Sequence, residues 1–223
     1  MKKIVLVAFL MLSQMNFAQD KTVKLGDFDQ VKVFDRISVL LVEGTENKIE
    51  ITGKRKDDVE IVNKNGDLKV RMKFGKLLKG DDISATIYFT KQINSVEASE
   101  GSFVSSEATF KAIDFLASAK EGAEVKLNLD VKKLKVKAYS GGILNLKGKA
   151  TNQDIIVNSG GIVKAKDLAT SQTSVAVNAG GEADVNASEL VDAKTRAGGN
   201  ITVYGNPAQV NKKNVIGGNI TIK

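Results

Sequence analysis

Asp154 and Asp192 occupy the same place in a recurring pattern, each six residues before a glycine (Gly160 and Gly198). Two acids facing one another across neighbouring strands are the machinery of glycoside hydrolysis, in which one donates a proton and the other activates water or attacks the sugar. Ser174 fills that column on the coil between them. A strand spacing of about 4.8 Å then sets the two acids roughly 9.6 Å apart, at the outer edge of an inverting pair. No further acid or arginine clusters beside them, so solvated surface aspartates account for both. The chain has no histidine and no cysteine. That removes the usual general base, the thiol nucleophile and the commonest zinc ligands. No glycine-rich stretch ends in Gly-Lys-Ser/Thr, so a phosphate-cradling loop is missing too. The turns lack the dense Gly/Asp pattern of calcium-binding repeats. The expectation is a protein that is not an enzyme, with no catalytic residue, cofactor or metal ligand to name. A polysaccharide lyase or hydrolase stands as a remote alternative.

What must position these residues is a repeat. The first glycine of each unit stands at Gly101, Gly122, Gly141, Gly160, Gly180, Gly198 and Gly217, at intervals of 21, 19, 19, 20, 18 and 19. A period near 20 without a helical pattern points to a solenoid of β-strands. Three residues after each glycine come Val104, Val125, Leu144, Val163, Ala183, Ile201 and Ile220. Five after come Ser106, Leu127, Leu146, Ala165, Val185, Val203 and Ile222, while the position between is polar in every unit. Alternation of this kind lays one strand per coil against a shared interior. A slip of one residue would bury Lys164 and Asp184, which fixes the register. Val136 and Ala138, Ile155 and Val157, and Val175 and Val177 repeat the pattern before the glycines. The glycines are the corners, where positive φ is needed. A β-sandwich is the rival fold, but its variable hairpins have no reason to keep a constant spacing.

Residues 1–18, "MKKIVLVAFLMLSQMNFA", join Lys2 and Lys3 to an apolar run from Ile4 to Leu12, the layout of a secretory signal peptide with cleavage after Ala18. The run is too short for an ordinary bilayer span, so the mature chain is not expected to be integral to the membrane. Residues 19–95 alternate in short Val- and Ile-rich runs separated by turns such as Asn65-Gly66, a tight hairpin signal. Residues 96–223 carry the repeats, continuous with the preceding region. The expected class is all-β: a parallel β-helix of about 20 residues per coil, with N-terminal strands packing on it or continuing into it. The full chain carries +7, and without Lys2 and Lys3 of the leading segment the balance is 31 basic to 26 acidic residues, or +5, a mild excess. With an export signal, four arginines and few aromatics, nucleic acid is not an expected partner.

Several polar residues share columns. Lys164 and Asp184 should form a weak cross-strand ion pair. Asn158 with Asn178, and Asn200 with Asn219, stack on adjacent coils as amide ladders or as a polar strip for sugar hydroxyls. These four asparagines are the candidate ligand-binding residues. "KFGKLLKG", residues 73–80, holds three lysines and no acid; it reads as a solvated loop or as a contact for phosphate-bearing glycolipid. The last coil ends in an interior-type strand, so its cover is expected to be the N-terminal strands or a second copy, making a homo-oligomer.

The order "FDQVKVFDRISVLLVEGTENKIEITG", "GDLKVRM", "ISATIYFTKQINSVEASEGSFV" and then "GGNI" at 198–201 and 217–220 resembles the auto-transporter adhesin head GIN domain family (DUF2807) from about Phe28 to Ile222. The resemblance implies a right-handed β-helix in exported proteins of the Gram-negative envelope, and adhesion to a cell-surface glycan or protein. It carries no catalytic residues. A structural or oligomerising scaffold without a dissociable ligand is the alternative. The compartment expected is periplasmic, outer-membrane-associated or extracellular.

Overall fold

The computed structural model describes residues 20–223, so the signal-like segment 1–18 lies outside the described residues. In chain order the strands are β1 (Lys21–Lys24), β2 (Gln30–Val33), β3 (Ser38–Glu43), β4 (Lys48–Thr52), β5 (Val59–Lys64), β6 (Asp67–Met72), β7 (Ser84–Phe89) and β8 (Ser95–Ala98). There follow β9 (Phe103–Lys120), β10 (Glu124–Tyr139), β11 (Ile143–Asn158), β12 (Ile162–Asn178), β13 (Glu182–Arg196), β14 (Asn200–Tyr204), β15 (Gln209–Val215) and β16 (Asn219–Ile222). All sixteen belong to one sheet. It winds into a β-solenoid of about 7 turns with about 19 residues per turn, close to the spacing of the glycines.

From β9 to β13 each coil is one long bent strand lying parallel on the one before, in the register the columns require: Val125 faces Val104 and Leu144, and Val163 faces Leu144 and Ala183. The residues three after each glycine are all buried, as are those five after, except Ile222 at 42% exposure. The apolar side chains lock the register because a one-residue shift would exchange them with lysines and aspartates.

The corners are turns in which two successive residues have positive φ. Ser140 (φ 49°) and Gly141 (φ 75°) form one, closed by the Gly142 amide donating to the Tyr139 carbonyl at 2.9 Å. This is the type I′ geometry, whose second central position favours glycine. The second glycine of the doublet has a different reason. A Cβ on Gly142 would lie 2.1 Å from the Ala119 carbonyl oxygen of the preceding coil, whereas one on Gly141 would meet nothing within 4 Å. One glycine bends the chain and the other lets neighbouring coils touch.

The region 19–95 both continues the solenoid and packs on it. β2 lies parallel between β6 and β8, and β3 lies parallel between β7 and β9. The pairs β2–β3 and β6–β7 are therefore coils, with Asp35-Arg36 as the corner of the first. β5 is antiparallel to β6, joined by Asn65 (φ 53°) and Gly66 (φ 82°) in the expected hairpin. β4 and β1 add antiparallel strands beyond β7. The expectation that N-terminal strands cover the last coil is incorrect. Val39 of β3 pairs with Val104 of β9, so these strands close the opposite end, and among the described residues β16 pairs with β14 alone.

Gly142→Ala should destabilise the fold by about 3 kcal/mol, because backbone must move to admit the methyl group. Gly141→Asn should cost less than about 1 kcal/mol, since asparagine tolerates the left-handed region. Urea denaturation of both variants checks the asymmetry.

Candidate functional site

Two outward columns run along the flank that precedes the corners. One holds Asp114, Lys133, Asn152 and Gln172; the other holds Leu116, Lys135, Asp154, Ser174, Asp192 and Asn211. Across β9, β10 and β11 lies a depression of about 610 Å³, lined by Asp114, Lys133, Lys135, Asn152 and Asp154 and, from the N-terminal coils, by Gln30, Asn94 and Ser95. Phe115, Leu116 and Leu134 supply its apolar lining. The ion pairs of these coils, Lys147–Asp167 and Lys149–Asp130, lie elsewhere. Two of the lining residues carry buried polar atoms without a hydrogen-bond partner, Ser95 Oγ and Gln153 Nε2. Asp154 and Asp192 are separated by Ser174 in the ladder, as their spacing requires. Among the described residues no group of three or more acids is placed to hold a metal ion.

The four asparagines do not converge. Asn158 and Asn178 pair in register, and Asn178 Nδ2 donates to Asn158 Oδ1 at 2.8 Å. On the next coil Arg196 takes their column and ends the ladder. Asn200 and Asn219 also pair in register, but on the other side of the corner, and Asn219 Nδ2 donates to Thr221 Oγ1 at 3.3 Å instead. With Thr202, Thr221 and Lys223 they line a second depression of about 440 Å³. Lys164 and Asp184 are register partners, yet the expected ion pair is not among those of the described residues. An exposed pair gains little in high dielectric against the entropy of fixing a lysine.

Asp35 had no signal in the sequence beyond a break in the alternation "VFDRI". It is 1% exposed, and its carboxylate accepts the amides of Met72 and Leu78, each at 2.9 Å. Its carbonyl accepts the amide of Gly80 at 3.0 Å. One acid at the β2–β3 corner thus holds both ends of the segment that joins β6 to β7. In place of a two-residue corner, that coil makes an excursion over residues 73–83. Leu78 sits at φ 60° within it. A left-handed leucine costs on the order of 1–3 kcal/mol, and the bond to Asp35 offsets this.

A disulfide-free parallel solenoid with long polar flanks defines a class of protein that presents surface, with side chains displayed at a fixed pitch. The chain belongs to the family described as "Putative auto-transporter adhesin, head GIN domain", whose profile matches residues 27–207. A crystal structure titled as a putative adhesin from Bacteroides fragilis NCTC 9343 is similar at 20% identity, with a TM-score of 0.81 over 92% of this chain and 96% of that one. A structure titled "Putative lipid binding protein" from Parabacteroides distasonis ATCC 8503 gives 16% identity, TM-score 0.68 and coverage of 92% and 96%. A putative adhesin from Parabacteroides merdae ATCC 43184 gives 21%, 0.65, and 92% and 95%. At these identities the likeness shows the fold alone. No curated protein matches. No helix among the described residues is long and apolar enough to cross a membrane.

Glu100, at the next corner, sets a pH dependence. Burial, followed by the negative charge of Asp35 and then of Glu121, holds its carboxyl above the ordinary value. A raised acid binds its proton more tightly folded than unfolded. Its ionisation therefore lowers stability as pH rises through the folded value, and the penalty is absent below the unfolded value of about 4.3. Glu100→Gln should be more stable than the parent at pH 7, with the difference vanishing in acid. Thermal melts across that range check the sign.

Proposed function

We propose that this chain is an exported, non-enzymatic, adhesin-like protein of the cell envelope that binds a surface glycan along the flank of its solenoid. The observation that carries the reading is the depression across β9, β10 and β11. Its outward aspartates, lysines and amides stand beside the partly exposed Leu116, and the buried Phe115 and Leu134 complete its lining. Saccharides present hydroxyl edges and apolar C–H faces, and a concave site of mixed character suits both. The family description and the adhesin titles of similar structures support a binding role, and the signal-like segment 1–18 supports export. The ladder of Asn158 and Asn178 offers further amides nearer the corner. A protein partner on the same flank is the other form of this reading.

A scaffold without a dissociable ligand is the second reading, and one observation favours it. Among the described residues β16 pairs with β14 alone, and it lies beside the half-exposed Ile222 and the exposed Ile216, a surface suited to a second copy.

A glycan array probed with the chain from Gln19 should show selective binding, and Lys133→Ala with Asp154→Ala should weaken it at least about 10-fold. An array that stays flat while the fold is retained overturns the glycan reading. Light scattering that shows a concentration-dependent dimer then supports the scaffold.

A further inference from the structure

The segment between β6 and β7 is built unlike any other corner. Phe74 is 96% exposed, Leu77 49% and Leu78 45%, which gathers three large apolar side chains within five residues on open surface. Lys73, Lys76 and Lys79 alternate with them, and no acid falls between residues 72 and 80. Asp81 and Asp82, which follow, are paired with Arg36 and Arg55. Beside the segment, Lys54, Arg55 and Lys56 outnumber Asp57 and Asp58, and Lys73 Nζ donates to the Asp57 carbonyl at 2.6 Å.

The segment is also held in shape. The amides of Lys76 and Lys79 close successive turns onto the carbonyls of Lys73 and Lys76. Asp35 takes the amides of Met72, Leu78 and Gly80, and Arg55 Nη1 donates to the Lys79 carbonyl at 3.2 Å. A loop whose backbone is already bonded can present apolar side chains to a membrane surface without first ordering itself.

We propose that residues 73–79 form a docking element for a bilayer carrying anionic headgroups. Phe74, Leu77 and Leu78 enter the boundary between headgroups and acyl chains. Lys73, Lys76 and Lys79 lie against the phosphates. The charge pattern selects this occupant over an apolar protein surface, because lysines interleaved with exposed apolar groups are favoured where a negative surface lies above a hydrocarbon layer. The loop leaves the molecule at the corner ridge, whereas the glycan depression lies on the flank before the corners, and neither site depends on the other.

Residues 20–223 contain all sixteen strands and their core, so the chain from Gln19 is the test protein, free of the apolar run 4–12. The sequence has no tryptophan, which makes Phe74→Trp a single reporter at the tip. Its emission should shift to the blue with phosphatidylglycerol-containing vesicles and stay unchanged with phosphatidylcholine alone. In co-sedimentation the parent should bind the anionic vesicles in a salt-sensitive way. Phe74→Ala should reduce binding about 10-fold, and joint replacement of the three lysines by glutamine roughly 100-fold. Circular dichroism should be unchanged in both, since these side chains support no core. Equal binding to both vesicle types, no binding to either, or binding indifferent to these substitutions overturns the proposal.

Discussion

The parallel ladder, carried from coil to coil and continued at the corners, is the constraint on which the rest depends. A backbone amide of one corner reaches the carbonyl of the next, as from Gly122 to Ser140, Gly141 to Ser159 and Gly160 to Ala179. A loop that left those groups unpaired would be tolerable only at loose spacing, with water between the coils. Because the bonds are made, one coil sits a strand's width from the next at its tightest bend, and Gly142 and Gly161 become positions where a methyl group has no room. The interior follows from the same pitch. Stacked Val, Leu, Ile and Ala columns fill a narrow axis, and the fold holds without a single disulfide.

Legibility in the sequence tracked this repetition. The column of Val104, Val125 and Leu144 could be placed inward because seven units repeat the same alternation, and a period shared by seven units averages out local exceptions. The N-terminal coils were legible as strands but not as coils. They lack the glycine doublet: Asp35-Arg36 bends one of them with two non-glycine residues, and an excursion of eleven residues replaces the corner of the other. The depression on the flank was visible only in part. Asp154 drew notice as an acid, while Lys133, Lys135, Asn152 and Asp114 become its neighbours through register. Asp35 is the extreme case, because its partners are backbone amides 37 and 43 residues away. Backbone amides leave no trace in residue type.

Two kinds of surface therefore arise from one scaffold by different means. The flank acquires its character from outward columns, in which neighbouring coils contribute one side chain each at fixed separation. The corner ridge acquires its character from insertion, since a turn is the place where extra residues disturb no ladder. The buried carboxylate of Asp35 marks the cost of that insertion, a charged group taken out of water so that an unusual loop keeps one shape.

The threading of the first coils has a consequence for how the chain reaches this state. β3 is flanked by β7 on one side and β9 on the other, and β2 by β6 and β8. A chain delivered from its N-terminus cannot stack its coils in the order they emerge. The earliest coil has to wait, both edges open, for later ones to slot in above and below it. Growth in sequence begins only once β9 has arrived, so about half the polypeptide must be present before the first layer is closed.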